Sequence, residues 1–551
     1  MNYEGQFFVV PFGVGGLFTD APQTSIPSSA LIRANNCTFY NTVLQKDFGS
    51  RWWNSTPLPS SIVRAAQFFP DTQSTLQRVF ALCSNGLLYK FTNYYTSTQV
   101  TQNAPSDPAA FNTMGYNSMV VGGNEVTGNA KKLFVFDGAH TPQVISGDAS
   151  VYHSMSLPAA DWTGTSNPIG GIIHRGQLYV FGCSNTPHNI YASNVSNMED
   201  FQTNGATQVY NVYPGEFTGI VCAAVFRGRL FVFKYPNGVY YLVDTDPSVN
   251  NWYFTKLCDD FGACSPQSAA IINNDLIIAN AYGSLTSMTA ALVFGDVLQK
   301  DIFYNLYNYR FLENEVFANK QYGRNMLYYA ARKQLFTTYQ SYVGTSNDRI
   351  AVIDFKDQNN SPKTSWINKD KPNCLFKLRD NYGIDRPYYG APDGYIYQMG
   401  VSDRWVGSGT DTTKQTAYLF DAQTPHMDLS QGNVYAPGTG NMITGNQIKL
   451  FEFLEVEYEP TGDWNVSIDV VIDGVLRHTY QCNLGARSNL NELPLNANPI
   501  DGLSGFFRRF QIHGQGRTIS LRFYNNGLGQ DVRLVRAIIY YRPSGQSQMV
   551  K

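Results

Sequence analysis

Charge is scarce in this chain: Asp, Glu, Lys and Arg together make up 15% of its 551 residues. Long Ala/Glu/Lys/Leu stretches are missing, which argues against a helical bundle. There is no basic excess, with 40 Lys and Arg against 42 Asp and Glu and a net charge of −2. A protein that grips nucleic acid over its whole surface carries such an excess, so that class is excluded. No CxxC occurs among the eight cysteines, and the closest two are Cys258 and Cys264. Zinc and redox roles therefore lack the required spacing, and buried reduced thiols are expected. No apolar run approaches the roughly 20 residues of a membrane span. The opening MNYEGQFFVVPFGVGG has neither a basic start nor a cleavable apolar core. A soluble protein made in a cytoplasm is the expectation.

Catalytic motifs are missing as well. GxSxG, HExxH, the P-loop and a GxGxxG after a strand do not occur, nor does the Asp-box of propeller sialidases. The seven histidines stand singly, and His174 and His513 read as packed or surface residues in strands. Asp259-Asp260 and Glu313/Glu315 are close acidic pairs in the repeat region, and both fall in loops with no arginine cluster. No catalytic residue, no metal ligand and no cofactor-binding residue is assigned, no cofactor is expected, and the chain reads as a non-enzyme.

Aromatics and turn formers are plentiful instead: 36 Tyr, 35 Phe and 47 Gly. Aromatic side chains suit half-buried pleated surfaces, and Gly and Asn supply the positive φ of tight turns, so the chain is mainly β. A strand–turn–strand pattern recurs. Its clearest copies are Ile172–Gly182 and Ala224–Lys234, each with an Arg-Gly turn, followed by Ala270–Asn280 and Lys320–Ala331. Weaker copies are Gln77–Phe91, Lys131–Ile145 and Asp385–Met399. With the second strand as marker they fall near Phe80, Phe134, Tyr179, Phe231, Ile277, Tyr328 and Tyr388, a step of roughly 45 to 60 residues. Units this small must stack on their neighbours, and the step fits the blade of a β-propeller of about seven blades.

The flanks differ from the blades, and three regions follow: residues 1–56 as an N-terminal arm and hairpin, 57–404 as the propeller, and 405–551 as a C-terminal β-sandwich. Pro22, Pro27, Gly15 and Gly16 suggest an extended arm, and the hairpin around Asn41-Thr42 is placed to lend a strand to the last blade. After Ile448 the alternation is strict. Leu454, Val456 and Tyr458 face one way and Glu455, Glu457 and Glu459 the other, with further alternation at Val466–Ile472 and Ile519–Phe523. The acidic stripe and the basic set Arg508, Arg509, Arg522, Arg533 and Arg536 have two readings: cross-strand charge pairing, or a docking surface for a partner.

The segment from Gly15 to Trp53 resembles the opening of the β-propeller nozzle (tail tubular or hub) proteins of short-tailed bacteriophages. Gly15, Gly16, Leu17, Thr19, Asp20 and Pro22 match its Gly-Gly-Leu-x-Thr-Asp-x-Pro stretch. Arg33, Ala34 and Asn35 stand for its Ala-Arg-Asn-like step in altered order, and Lys46 and Gly49 for its Lys-x-x-Gly turn. The run from Lys449 to Gln546 is similar to the closing sandwich of these chains. The resemblance implies a structural virion protein with no active site: a homohexameric ring at the end of the tail, made in the host cytoplasm. A tail adaptor or portal-side ring would lie above it, needle or fibre proteins below, and double-stranded DNA would pass through during ejection. Gly15, Gly16, Asp20, Pro22, Arg33, Lys46 and Gly49 become its assembly motif. The competing readings are a receptor- or carbohydrate-binding virion protein and, behind it, a propeller glycoside hydrolase.

Overall fold

The computed structural model describes residues 6–12, 14–19, 21–40, 43–68, 78–93, 95–123, 131–203, 205, 207–215, 218–281, 283–288, 324–340, 347–356, 362–368, 370–380, 383–401, 405–429, 447–485 and 506–544. Among the described residues, every regular element longer than one turn is a strand. The acidic pair Glu313/Glu315, the turn Asn41-Thr42 and Asp20 lie outside the described residues.

Seven antiparallel units follow one another from Ile62 to Val401. Four strands each form the first (Ile62–Phe68 to Ser97–Gln102), second (Ser118–Gly122 to Val151–Ser154), third (Gly170–His174 to Gln208–Asn211) and fourth (Gly219–Phe226 to Tyr253–Cys258). The fifth shows Ala269–Ile272, Asp275–Ala279 and Leu285–Ser287, and the sixth has Met326–Tyr329, Gln334–Tyr339, Arg349–Asp354 and Lys363–Ile367. In the seventh, Cys374–Arg379, Asp385–Gly390 and Ile396–Val401 are joined by Gly49–Trp52 from the start of the chain. The first strand of each unit lies beside the first strand of the next, and that of the seventh returns to the first. This closed circuit is a seven-bladed β-propeller.

Local chemistry explains the hairpins. Arg175-Gly176, Arg227-Gly228 and Asn273-Asn274 each close a two-residue turn with both φ values positive, between 45° and 78°. That is the type I′ geometry whose twist matches the strands it joins. Each blade then buries one face on either neighbour. Phe134, Phe136, Leu178, Val180 and Tyr191 fill the gap between the second and third blades, and Phe181, Ile190, Val232 and Tyr240 that between the third and fourth. Six of the seven strands marked in the sequence are second strands of their blades. Tyr328 is the exception. It belongs to the first strand of the sixth blade, because the chain turns at Ala330–Arg332 with Lys333 in the left-handed region, not at Gly-Arg-Asn.

The sandwich has two sheets. One carries Cys37–Tyr40, Val43–Lys46, Arg533–Pro543, Lys449–Tyr458 and Phe506–Gly516 in that order, with Gln6–Pro11 also paired to Arg533–Pro543. The other carries Arg33–Asn35, Phe420–Gln423, Ile519–Asn525, Asn465–Ile472 and Val475–Asn483, and it runs without a break into the sixth blade. Leu454, Val456, Val466, Ile468, Leu521 and Phe523 are buried between the sheets, as their alternation predicts.

Two expectations for the N-terminal segment need correcting. The hairpin belongs to the sandwich, where Cys37, Phe39 and Leu44 are buried, and the strand lent to the last blade is the next one, Gly49–Trp52. The arm is not extended either. Its N–H groups bond back on itself, Gly15 to the Ser29 carbonyl, Phe18 to that of Leu31, and Leu31 to that of Gly16.

The lent strand is held by a buried carboxylate. Asp370 is fully buried, and it accepts from Ser50 of that strand at 2.7 Å and from Tyr418 at 2.9 Å, with Tyr389 also bonding to it. Burial raises its pKa to about 6 although these hydroxyls pull it down. A carboxyl raised on folding stabilises the fold fully below its unfolded pKa, and that contribution is lost as pH rises through about 6. From about pH 5 to about pH 7.5 this group should cost about 1 kcal/mol of stability. Denaturant melts of wild type and Asp370→Asn across that range should differ by this slope, the variant being the flatter.

Candidate functional site: the stapled joints and the charged sandwich face

Of the residues expected to form an assembly motif, Arg33, Lys46, Gly49, Gly15 and Gly16 are held in close contacts along the N-terminal segment. Arg33, on the strand that continues the sixth blade, donates from Nη1 to Asp421 Oδ2 at 3.0 Å, and Arg522 binds the same carboxylate through Nε at 2.8 Å. Asp421 thereby neutralises two guanidinium groups on its two neighbouring strands. Lys46 is completely buried at the end of the hairpin, with Nζ 2.9 Å from Asn525 Oδ1 and 3.0 Å from the Gly527 carbonyl. Gly49 lies where two strands cross: a Cβ there would stand 2.1 Å from the Trp405 carbonyl oxygen. Gly15 is similarly pressed against Ala30, at 2.7 Å, and Gly16 has a φ of 67°. Pro22 is exposed in a turn and touches none of these joints.

Of the charged set, Glu455, Glu457, Glu459, Arg509, Arg533 and Arg536 come together on the outer face of one sandwich sheet. Arg509 pairs with Glu455 at 3.4 Å, Arg533 with Glu459 at 3.1 Å, and Arg536 with Glu457. Arg542 and Glu452, which the sequence pattern did not single out together, add a fourth pair at 2.5 Å. Acid and base alternate across adjacent strands, so each charge meets its opposite within the sheet. Arg508 and Arg522 lie elsewhere: Arg508 donates to the buried Tyr458 hydroxyl at 3.1 Å, and Arg522 is on the opposite sheet. Among the described residues the acidic stripe is thus paired within the sheet, with Asp531 as a second partner of Arg533 at 2.9 Å.

The centre of the ring is crossed by side chains where the chain enters the first strands. Tyr116 of the second blade donates to the Cys264 carbonyl of the fifth at 3.2 Å, and Gln267 returns a bond to the Asn117 carbonyl at 3.3 Å. Arg64 of the first blade bonds Asn325 of the sixth, and Asn373 of the seventh donates to Ser61 of the first at 2.7 Å. The second and fifth blades are not adjacent, so bonds between them run across the axis. Arg64, Cys264, Ser265, Arg324 and Asn325 are all buried there.

No group of three or more His, Cys, Asp and Glu among the described residues could hold a metal. His174 is buried and bonded to Asp244 at 2.8 Å, and Asp259 pairs with Lys256 at 2.6 Å on the surface. The cysteines are free, and burial pushes the thiols of Cys83 and Cys183 up to about 12 and of Cys258 up to about 11, which suppresses the reactive thiolate.

Neither a family profile nor a curated protein sequence matches the chain. Among solved structures it is similar to the computationally designed Ika8 protein, with 10% identity over 64% of this chain and 99% of that one and a TM-score of 0.36. It is also similar to BBS1N, solved in complex with ARL6DN, at 9% identity, 64% and 97% coverage and a TM-score of 0.38. YCF48, solved bound to D1 peptide, is similar at 8% identity, 65% and 97% coverage and 0.36.

The joints rank themselves by burial. Lys46→Met should cost about 2–3 kcal/mol, because it leaves buried acceptors without a donor. Arg33→Ala, at a partly exposed pair, should cost at most about 1 kcal/mol. Gly49→Ala should be the most damaging, at about 4 kcal/mol or more, since backbone must move to admit the methyl. Chemical denaturation of the three variants checks the order.

Proposed function

We propose that the chain is a non-catalytic structural subunit of a short-tailed phage tail, assembling as a homo-oligomeric ring, with six copies, around the path by which DNA leaves the capsid. One observation carries the reading: the residues that give the N-terminal segment its resemblance to nozzle proteins, Arg33, Lys46 and Gly49, pin the segment that runs from the sandwich into the last blade, Arg33 on Asp421, Lys46 on Asn525 and Gly49 against Trp405. Pinning of this kind suits a wall element that transmits load.

Two further features support it. The propeller is bridged at its axis, so a conduit must run between copies and not through a blade ring. The sandwich face is self-neutralised, which suits a surface that DNA has to slide past, because each unpaired cation would add a phosphate contact and hold the duplex. In this reading an adaptor or portal-side ring binds above, needle or fibre proteins attach below, and the subunits reside in the virion after synthesis in the host cytoplasm.

The test is assembly. Light scattering should give a multiple of the 61.6 kDa chain mass, alone or on addition of the adaptor ring, and negative-stain images should show rings with an open centre. A chain that stays monomeric and binds no adaptor ring overturns the proposal.

A further inference from the structure

The sixth and seventh blades meet through one face of each. In the seventh, Leu375, Lys377 and Arg379 share a face with their cross-strand partners Tyr389, Pro387 and Asp385. In the sixth, Leu327 and Tyr329 share a face with Phe336 and Gln334. Leu327, Phe336, Leu375 and Tyr389 pack together as the core between the blades. One step along the strands that core stops, and a cavity of about 250 Å³ opens, lined by Tyr328, Tyr329, Lys377, Ile384, Asp385 and Pro387 with their neighbours.

Its charges are unevenly matched. Arg379 binds Asp385 through Nε at 2.8 Å and Nη2 at 3.4 Å, and Arg386 binds Asp380 through Nε at 2.7 Å. Lys377 is exposed and makes no hydrogen bond or ion pair among the described residues. The cavity thus combines an ammonium that makes no hydrogen bond among the described residues but is partly desolvated and attracted by Asp385, that carboxylate with acceptor capacity left over, and half-buried tyrosine rings beside Ile384 and Pro387.

We propose that this cavity binds an acidic monosaccharide unit, a hexuronate whose carboxylate meets the Lys377 ammonium. The volume lies just under the range of drug-sized pockets, which leaves room for about one sugar ring. The apolar face of a pyranose can lie on tyrosine, while its hydroxyls donate to Asp385. The same groups disfavour the alternatives. A neutral sugar leaves the ammonium only Asp385, already bound by Arg379, as counter-charge, an apolar acid offers Asp385 no donor, and a phosphate places extra negative charge beside that carboxylate. The inference does not depend on the ring assembly, which has its own readout.

Ligand-observed NMR titration of the full chain with glucuronate, glucose, benzoate and inorganic phosphate tests it. Glucuronate should saturate and bind at least about tenfold tighter than each of the other three. Lys377→Met should weaken glucuronate by about tenfold or more, and Lys377→Arg should retain most of the affinity. Lys377→Gln, which keeps a polar side chain, should weaken it like Lys377→Met, and an unchanged thermal midpoint separates lost binding from lost folding. Absence of saturation by glucuronate, wild-type affinity retained by both neutral variants, or tighter binding of benzoate or phosphate overturns the assignment.

Discussion

Propeller and sandwich share one hydrophobic core, which packs Leu335, Ile353 and Trp366 of the sixth blade with Cys37, Phe39 and Phe523 of the sandwich. A three-residue strand makes their sheets continuous across it. Arg33–Asn35 pairs antiparallel with Phe420–Gln423 on one side and parallel with the sixth blade, at Trp366, on the other. Without it the blade and the second sandwich sheet would each present an open edge, and open edges are templates for wrong pairing. Asn36 then turns the chain. Its φ is 50°, a region that asparagine tolerates better than most residues, and its side chain donates to Asn368 Oδ1 and the Leu419 carbonyl at 2.8 Å each. The next residue, Cys37, opens the hairpin in the facing sheet. A single kink therefore carries the chain from one sheet of the sandwich to the other, and the polar groups it exposes are paired across both.

Ring closure obeys the same economy. Gly49–Trp52 pairs with the third strand of the seventh blade on one side, and Trp405–Gly407 pairs with it on the other. Trp52 stacks on Tyr395 at 4.0 Å, and Trp53 meets Phe91 of the first blade edge-on at 5.3 Å, so the adjacent tryptophans bind both sides of the closure. The outer strands of the first and second blades also join, in parallel, at Val151↔Thr101 and Tyr152↔Gln102. Between the second and third blades Glu199 does the work of an anchor. Burial raises its carboxyl, but bonds from His153 and Lys132 outweigh that and hold it at about 2. Every one of these contacts ties residues far apart in sequence, which is what a ring needs in order to resist opening.

The sequence made the local layer of this architecture readable. Two-residue turns such as Arg227-Gly228 are written in single residues, and strict alternation from Leu454 to Tyr458 announces which side is buried. Blade order follows from the repeat. The destination of a strand is different, because it depends on which edge is vacant elsewhere. Nothing in Val43–Lys46 distinguishes a strand for the sandwich from a strand for the last blade, since both edges accept the same apolar pattern. Tyr328 was assigned to a second strand because Gly-Arg-Asn resembles a turn, while the real turn at Ala330–Arg332 carries no glycine. Asp370 and Lys377 gave no signal at all. Each is one polar residue in a loop or strand, and its role comes from groups contributed by other parts of the chain: Ser50 and Tyr418 for the first, Tyr329 and Asp385 for the second.

Scarcity of charge acquires a physical meaning once the pairs are placed. On the sandwich face every acidic residue of the stripe has an arginine on a neighbouring strand, and the buried cations Lys46 and Arg64 are bound by carbonyl or amide oxygens. Exposed pairs of this kind add little stability each. Their effect is on the field outside the protein, which alternation of sign cancels within about a Debye length. Net charge alone could not establish this, since −2 is equally compatible with a strongly basic face balanced by an acidic one. Register decides between the two: Glu455 opposite Arg509 and Glu457 opposite Arg536 place cancellation at the scale of adjacent strands. Lys377 stands apart from this pattern, an exposed ammonium in a cavity where the nearby carboxylate is already bound by an arginine. There Lys377, Arg379 and Arg386 face Asp380 and Asp385, so the pairs cancel and the ammonium of Lys377 is left as a local positive excess.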